Sequence, residues 1–404
     1  MRRAAWALMV VFTFAVPWEY SLDFGEPIGN VARVAGVLML LFAIPAVLQA
    51  GRVRMPGPLQ WLVMALFLWW SCSAMWSIDA DATLDRLRGA FQVVMPVWLL
   101  WELVEQPEDL RVLLRAYVAG AWVLAGLTLA NFLSPVSADQ TRFVAEGQDP
   151  NDVARFLDLG LPMAALLLHS ERRWWARLLA LGYLPLGLLS VLLTGSREGL
   201  LAGILALAGG AVLLFRRRPE RLIPALFLLP FLAAVIWTMV PEATFERLAT
   251  IPEQLQGGDL NQRLNIWTAG WQAFARRPLF GSGAGTFVAA AGLAPIDTAH
   301  NTLLSLVVEG GVTELILCAA IVAACAQSVR KMAGALRIGL GTALAVWCLT
   351  LLAATVEQNR TTWILLGMVA CAGRLAVEAP EETAHCFFAA QELDSAAALA
   401  EPAG

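Results

Sequence analysis

Apolar runs recur along almost the whole chain, near residues 4–18, 31–49, 58–76, 89–104, 111–133, 152–169, 177–194, 199–215, 222–240, 301–327, 335–355 and 361–377. A helix needs about 20 apolar residues to cross the hydrocarbon core of a bilayer. Inside lipid, helices and closed barrels are the structures that satisfy every backbone N–H and C=O. The pattern therefore predicts an all-α, polytopic membrane protein of about twelve transmembrane helices, several of them short. Composition agrees, with 59% hydrophobic and 15% charged residues in 404, against about 25% charged in an average soluble domain. Met1 to Pro17 resembles a signal peptide, with Arg2 and Arg3 before an apolar stretch. No small-residue cleavage site follows it, so it reads as a retained first helix.

Basic residues set the expected orientation, because short cytoplasmic loops are enriched in them. With a cytoplasmic N-terminus, the inside turns carry Arg52 and Arg54, Arg111 and Arg115, and Arg172, Arg173 and Arg177. Further along they carry Arg216, Arg217, Arg218 and Arg221, then Arg330, Lys331 and Arg337. Arg86 and Arg88 are exceptions, on an outside loop that also holds Asp79, Asp81 and Asp85. The outside loops are then 19–30, 77–88, 134–151, 195–198, 241–300 and 356–360. The loop 241–300 far exceeds the usual connection length, which commonly marks function. A transmembrane domain over 1–379 is expected, with this large loop periplasmic and containing short amphipathic helices. The acidic, alanine-rich residues 380–404 read as a disordered cytoplasmic tail.

Six scattered cysteines show no metal-ligand spacing with a nearby histidine, so neither a zinc site nor a disulfide framework is expected. The net charge of −4 is small, and no nucleic-acid partner is expected.

The outside loops collect Arg142, Arg197, Arg247, Arg263, Arg276, Arg277 and Arg360. Outward loops are normally poor in arginine. A guanidinium offers a planar, permanently charged fork that suits phosphate, and clustered charge of one sign focuses a field on a ligand. As a set they point to an anionic substrate at the outer leaflet. Taken singly, each could instead pair with Asp139, Glu146, Glu246, Glu253 or Asp259. Arg197 is the sharpest case, held in Thr194-Gly195-Ser196-Arg197-Glu198-Gly199 between two apolar runs with almost no loop. A charge so close to the membrane is costly unless it is used or paired, and Glu198 is the neighbouring partner.

Residues 262–280 read as an amphipathic helix, with Leu264, Trp267, Trp271 and Phe274 at three-to-four spacing and Pro278 at its end. It can lie in the interface or roof a cavity. Gly281-Ser282-Gly283-Ala284-Gly285 follows. No strand precedes it, so it reads as a flexible turn and not as a nucleotide loop. His300 is the histidine of the outer side and ends the large loop. Imidazole titrates near neutrality and suits a general base; a structural role is equally open. Glu309 lies about 13 Å deeper along the next helix, and Glu314 deeper still. Buried carboxylates at such depth serve either function or pairing. Asn151 and Asp152 read as caps of the sixth span, with Arg155 a turn from both Asp152 and Asp158.

Taken together these pieces resemble the O-antigen ligase and polymerase superfamily of bacterial membrane glycosyltransferases. The matching residues are Asp149-Pro150-Asn151, Gly195-Ser196-Arg197, Arg263 with Trp267, Pro278-Leu279-Phe280-Gly281-Ser282-Gly283, His300-Asn301, and Glu309 with Gly311. Glu314 stands where the family tends to have a small residue or tyrosine. The resemblance implies transfer of a glycan from undecaprenyl diphosphate to a hydroxyl at the periplasmic face of the bacterial inner membrane, without metal or cofactor. A ligase would use lipid A–core as acceptor, a polymerase another lipid-linked repeat. The partners implied are the donor, that acceptor and membrane lipids. By the same resemblance His300 is the candidate base, Arg197 and Arg263 are diphosphate clamps, and Arg142, Asn151, Asn301 and Arg247 bind substrate. A transporter or flippase is the alternative from another class. It predicts midplane charges, broken helices and an internal repeat; Glu314 is the main residue in its favour.

Overall fold

The computed structural model describes residues 1–25, 28–51, 53–134, 140–216, 219–250, 263–294 and 297–387. Arg52, Asp139, Arg217, Arg218, Glu253, Asp259, Gln262 and the chain after Phe387 lie outside the described residues. The described secondary structure is helical, apart from turns and one isolated antiparallel bridge between Asp23 and Asn30. In order the helices are α1 (Arg2–Ala15), α2 (Val31–Ala50), α3 (Pro58–Ser73), α4 (Ala80–Leu103), α5 (Pro107–Phe132) and α6 (Pro150–Ser170). There follow α7 (Trp174–Leu193), α8 (Arg197–Phe215), α9 (Leu222–Met239), α10 (Glu242–Ala249), α11 (Arg263–Arg276) and α12 (Phe287–Ala291). The last are α13 (Thr302–Lys331), α14 (Gly334–Thr350), α15 (Arg360–Glu378) and α16 (Pro380–Phe387).

Each apolar run of the sequence coincides with one of these helices. Seven are long and apolar enough to cross a membrane: α2, α5, α6, α7, α8, α13 and α15, while α14 is a shorter apolar helix. Helix α1 has only 14 residues and α3 only 16. Helix α4 is long, but it opens with Asp81, Asp85, Arg86 and Arg88. Side-chain caps fix where several helices begin. Asn30, Asp79, Asp149, Ser196 and Asn301 each accept a hydrogen bond from a backbone N–H of the first turn of α2, α4, α6, α8 and α13.

Helices α6 and α15 form the centre, with 89% and 83% of their most apolar windows buried, against 28% for α2 and α8. Leu41, Ile44 and Leu48 of α2 are exposed, an apolar outer face that suits lipid.

The loops that the arginine pattern assigned to the outside meet at one end of this bundle. Gln148 donates to Ser21, and Arg360 pairs with Glu19. Arg86 pairs with Glu357, and the Ile78 N–H donates to the Ser282 carbonyl. Ser196 bonds Asn151, and Arg197 reaches the Arg247 carbonyl. The inside turns meet at the opposite end, where Arg2 pairs with Glu105 and Arg115 with Glu108 and Glu171.

Two expectations change. The tail's first residues are not loose: α16 buries Phe387, Thr383 donates to the Leu375 carbonyl, and Arg111 donates to the Cys386 carbonyl. Gly281–Gly285 is not a flexible turn. Helix α13 breaks at Gly311, where φ is +69°, and the segment after Pro278 fills the break. The Ser282 and Gly283 N–H groups donate to the Val308 and Glu309 carbonyls, and the Val312 N–H donates to the Pro278 carbonyl. A Cβ on Gly281 or Gly311 would collide with backbone across this contact. Only glycine permits the approach.

Candidate active site at the arginine basin

The first turns of α6 and α8 are tied together by one amide. Asn151 Oδ1 accepts from Arg142 Nη2 (3.1 Å) and from Ser196 Oγ (2.9 Å). Arg142 Nε donates to the Thr194 carbonyl at 2.9 Å. Arg247 Nε donates to the Gly195 carbonyl at 3.0 Å, while Arg197 Nε donates to the Arg247 carbonyl at 3.2 Å. The turn between α7 and α8, helix α10 and the loop before α6 thus clasp one another through arginine stems. Arg263, at the start of α11, donates to the Ala353 carbonyl at 3.1 Å.

Arg142, Arg197, Arg247 and Arg263 are all half-buried, and Arg142 and Arg197 each lie within electrostatic reach of the other three. Burial, then the charges of Arg247, Arg263 and Arg197, pull the Arg142 guanidinium down to about 10, against the opposing pull of Asp149. Burial and Arg197 lower Arg247 as well. Arg263 is lowered by burial, with Glu198 and Asp149 opposing. Among the described residues none of the four forms an ion pair; their side chains donate to carbonyls and to the Asn151 amide oxygen. Arg197 does not pair with Glu198. Like charges held near one another, with no ion pair among the described residues, form a basin for an anion.

His300 borders the basin. It is the one described non-glycine residue with positive φ, at +46°. Such a conformation costs about 1 kcal/mol or more and persists only where its surroundings enforce it. They do so here on both sides. Trp267 Nε1 donates to the Ala299 carbonyl at 3.0 Å. Asn301 caps α13 through Leu304 N–H at 3.0 Å and donates to the Leu352 carbonyl at 3.1 Å. Thr302 donates to the Ala354 carbonyl at 2.6 Å and accepts from the Val356 N–H at 3.0 Å. Burial first, then Arg263, pulls the imidazole below the usual histidine value, while Asp149, Asp152 and Asp297 oppose. A histidine held neutral near pH 7 can accept a proton.

The structure therefore brings Arg142, Arg197, Arg247, Arg263 and His300 together, with Asn151 tying the floor. Asn301, next to His300, uses its amide in the helix cap and on the Leu352 carbonyl. Four further charged residues singled out in the sequence have partners within the protein. Arg86, the exceptional outside arginine, pairs with Glu309 (2.9 Å) and Glu357 (3.2 Å) in a buried cluster. Glu309 also accepts from the Gly285 N–H at 2.7 Å. Glu314 accepts from Trp70 Nε1 at 2.6 Å. Arg155 pairs with Asp152 at 2.6 Å and not with Asp158. The carboxylates Asp149, Asp152 and Glu198 also surround the basin; the sequence offers Asp152 as a cap, Glu198 as a partner of Arg197 and Asp149 only in the motif Asp149-Pro150-Asn151. Their signal was their position beside the arginine motifs.

A helical membrane protein with a cationic basin and an adjoining neutral histidine is thereby defined. Residues 182–319 match the family model described as O-antigen ligase, Wzy_C. The match takes in Arg197, Arg247, Arg263, His300 and the break at Gly311; Arg142 and Asn151 precede it. The likeness is confined to this segment, about a third of the chain, which is similar to the O-antigen ligase family. No curated protein matches the chain.

Proposed function

We propose that the chain transfers a glycan from undecaprenyl diphosphate to a hydroxyl acceptor such as lipid A–core, at the periplasmic face of the inner membrane. The observation that carries this reading is the convergence of four arginines, none ion-paired among the described residues, beside a histidine held neutral. In the reaction His300 takes the proton of the acceptor hydroxyl. The acceptor oxygen bonds the anomeric carbon of the sugar, and the bond from that carbon to the phosphate oxygen breaks. Its electron pair remains on undecaprenyl diphosphate. Arg197 and Arg263, with Arg142 and Arg247 behind them, stabilise the charge that develops there. Fixed donors in a water-poor site are effective because they need no reorganisation. On this reading the transmembrane domain covers 1–379, all twelve apolar helices cross, both termini are cytoplasmic, and the loop 241–300 roofs the site.

The transporter alternative predicts broken helices that coordinate cargo. The break at Gly311 has its flanking backbone groups engaged by the segment 278–283, which favours a structural joint. The deciding experiment incubates purified protein with an undecaprenyl-diphosphate glycan and a chelator, adding lipid A–core or lipid-linked repeats in separate arms. Transfer only to lipid A–core identifies a ligase, and elongation of the repeat identifies a polymerase. No transfer in either arm refutes the enzyme reading.

A further inference from the structure

Glu198 follows Arg197 in the first turn of α8, and Ser196 caps that turn at the Gly199 N–H. Both of its carboxylate oxygens are buried, and neither has a hydrogen-bond partner. The charges around it are Arg155 and Arg263, then Asp152 and Asp149. Arg155 faces it from α6, only 2% exposed, with Nη2 on Asp152 Oδ1 and Nη1 unpartnered. The first turns of α6 and α8 thus present two open buried acceptors and one open buried donor beside the arginine basin. Leaving buried polar atoms unmatched costs about 1–3 kcal/mol each, which points to a ligand with polar hydrogens.

The ligand part that fits is not the diphosphate, because its charge has the same sign as Glu198. A sugar fits. Its hydroxyls are neutral donors, and in a lipid-diphosphate glycan the first sugar is bonded directly to the phosphate that Arg263 would hold. The four arginines also leave one charge of the reaction uncompensated. As the sugar–phosphate bond breaks, the anomeric centre takes on oxocarbenium-like positive charge, which a carboxylate can stabilise. We propose that Glu198 is a catalytic residue facing the transferring sugar, accepting a hydrogen bond from its hydroxyl and complementing that positive charge. It exchanges no proton, since the acceptor's proton goes to His300. This rests on the reading of the basin as a glycosyl-transfer site.

The test compares wild type, Glu198→Gln and Glu198→Asp in the two-substrate assay, together with binding of glycan-free undecaprenyl diphosphate. Glu198→Gln should lower kcat about 10²-fold, in the range of removing one transition-state partner, and keep its affinity for the bare carrier within about threefold. Glu198→Asp, which keeps the charge, should recover part of kcat. Wild-type kcat in Glu198→Gln overturns the inference, and so does a Glu198→Gln that no longer binds the bare carrier. Absence of transfer by wild type overturns instead the reading of the basin on which the inference stands.

Discussion

Arg86 and Arg263 stand at the same end of the bundle and treat their charge in opposite ways. Arg86 is buried between Glu309 and Glu357. Ser305 donates to Glu357, and the Gly285 N–H donates to Glu309. Each charge there has an answering group within the protein. Arg263 is half-buried, touches a carbonyl with one nitrogen and has two further arginines, Arg142 and Arg197, within electrostatic reach. The first cluster links α4, α13 and the loop before α15, so its role is to join elements. The second keeps its charge available for something outside the chain. Buried charge of itself therefore says little about function. The informative quantity is whether the protein has already neutralised it.

The comparison can be broken at several points. His300→Ala should lower transfer about 10³-fold, within the range for a general base, while the purified protein stays monodisperse and keeps its melting temperature. Wild-type turnover would remove the base assignment. Arg86→Met should do the reverse. Removing one partner from a buried pair costs about 3–5 kcal/mol, so a lower melting temperature and a poor folded yield are expected. A stable, inactive Arg86→Met would move that cluster into the active site.

Arg197→Lys should reduce kcat/KM about 10²-fold with no change in melting temperature, because lysine keeps the charge but lacks the fork. Full activity would indicate that charge alone suffices there. A smaller effect concerns pH. A base must be unprotonated, and the His300 imidazole is lowered from 6.5. Measured in Glu198→Gln, where the carboxylate proposed to act beside it cannot titrate, the acidic limb of the rate profile should therefore fall below pH 6.5, with activity lost as pH drops through it and flat above. A limb well above that value would contradict the buried, Arg263-flanked environment. At the bottom of the scale, Arg88 pairs with Asp85 on an exposed face. Arg88→Ala should change stability by no more than about 0.5 kcal/mol and leave transfer unaffected.

Much of this was legible before any coordinates. Apolar periodicity gave the helix at each apolar run, because burial in lipid or in the bundle selects those runs whatever their neighbours; it did not locate the short helices α10, α12 and α16. The distribution of arginines separated two sets of loops that do meet at opposite ends. The motifs around Arg197, Arg263 and His300 marked residues that the fold brings together in the proposed site, since a lone strong charge or imidazole beside a membrane span is conspicuous in the sequence. The spacing of Trp267 and Trp271 gave the helix α11, though not that the Trp267 indole would anchor the backbone beside His300.

Pairing was not legible. Arg86 lies 223 residues from Glu309 and 271 from Glu357. Glu198 lies beside Arg197 in the chain, yet its side chain forms no ion pair with it. Sequence determined which segments are helical, which loops share a side and which residue types crowd there, because these follow from local composition and the hydrophobic period. Tertiary structure alone decided which arginines are neutralised and which remain open. It also decided that the glycines after Pro278 wedge open α13 instead of flexing. Both depend on distances between side chains far apart in the chain, which no local pattern encodes.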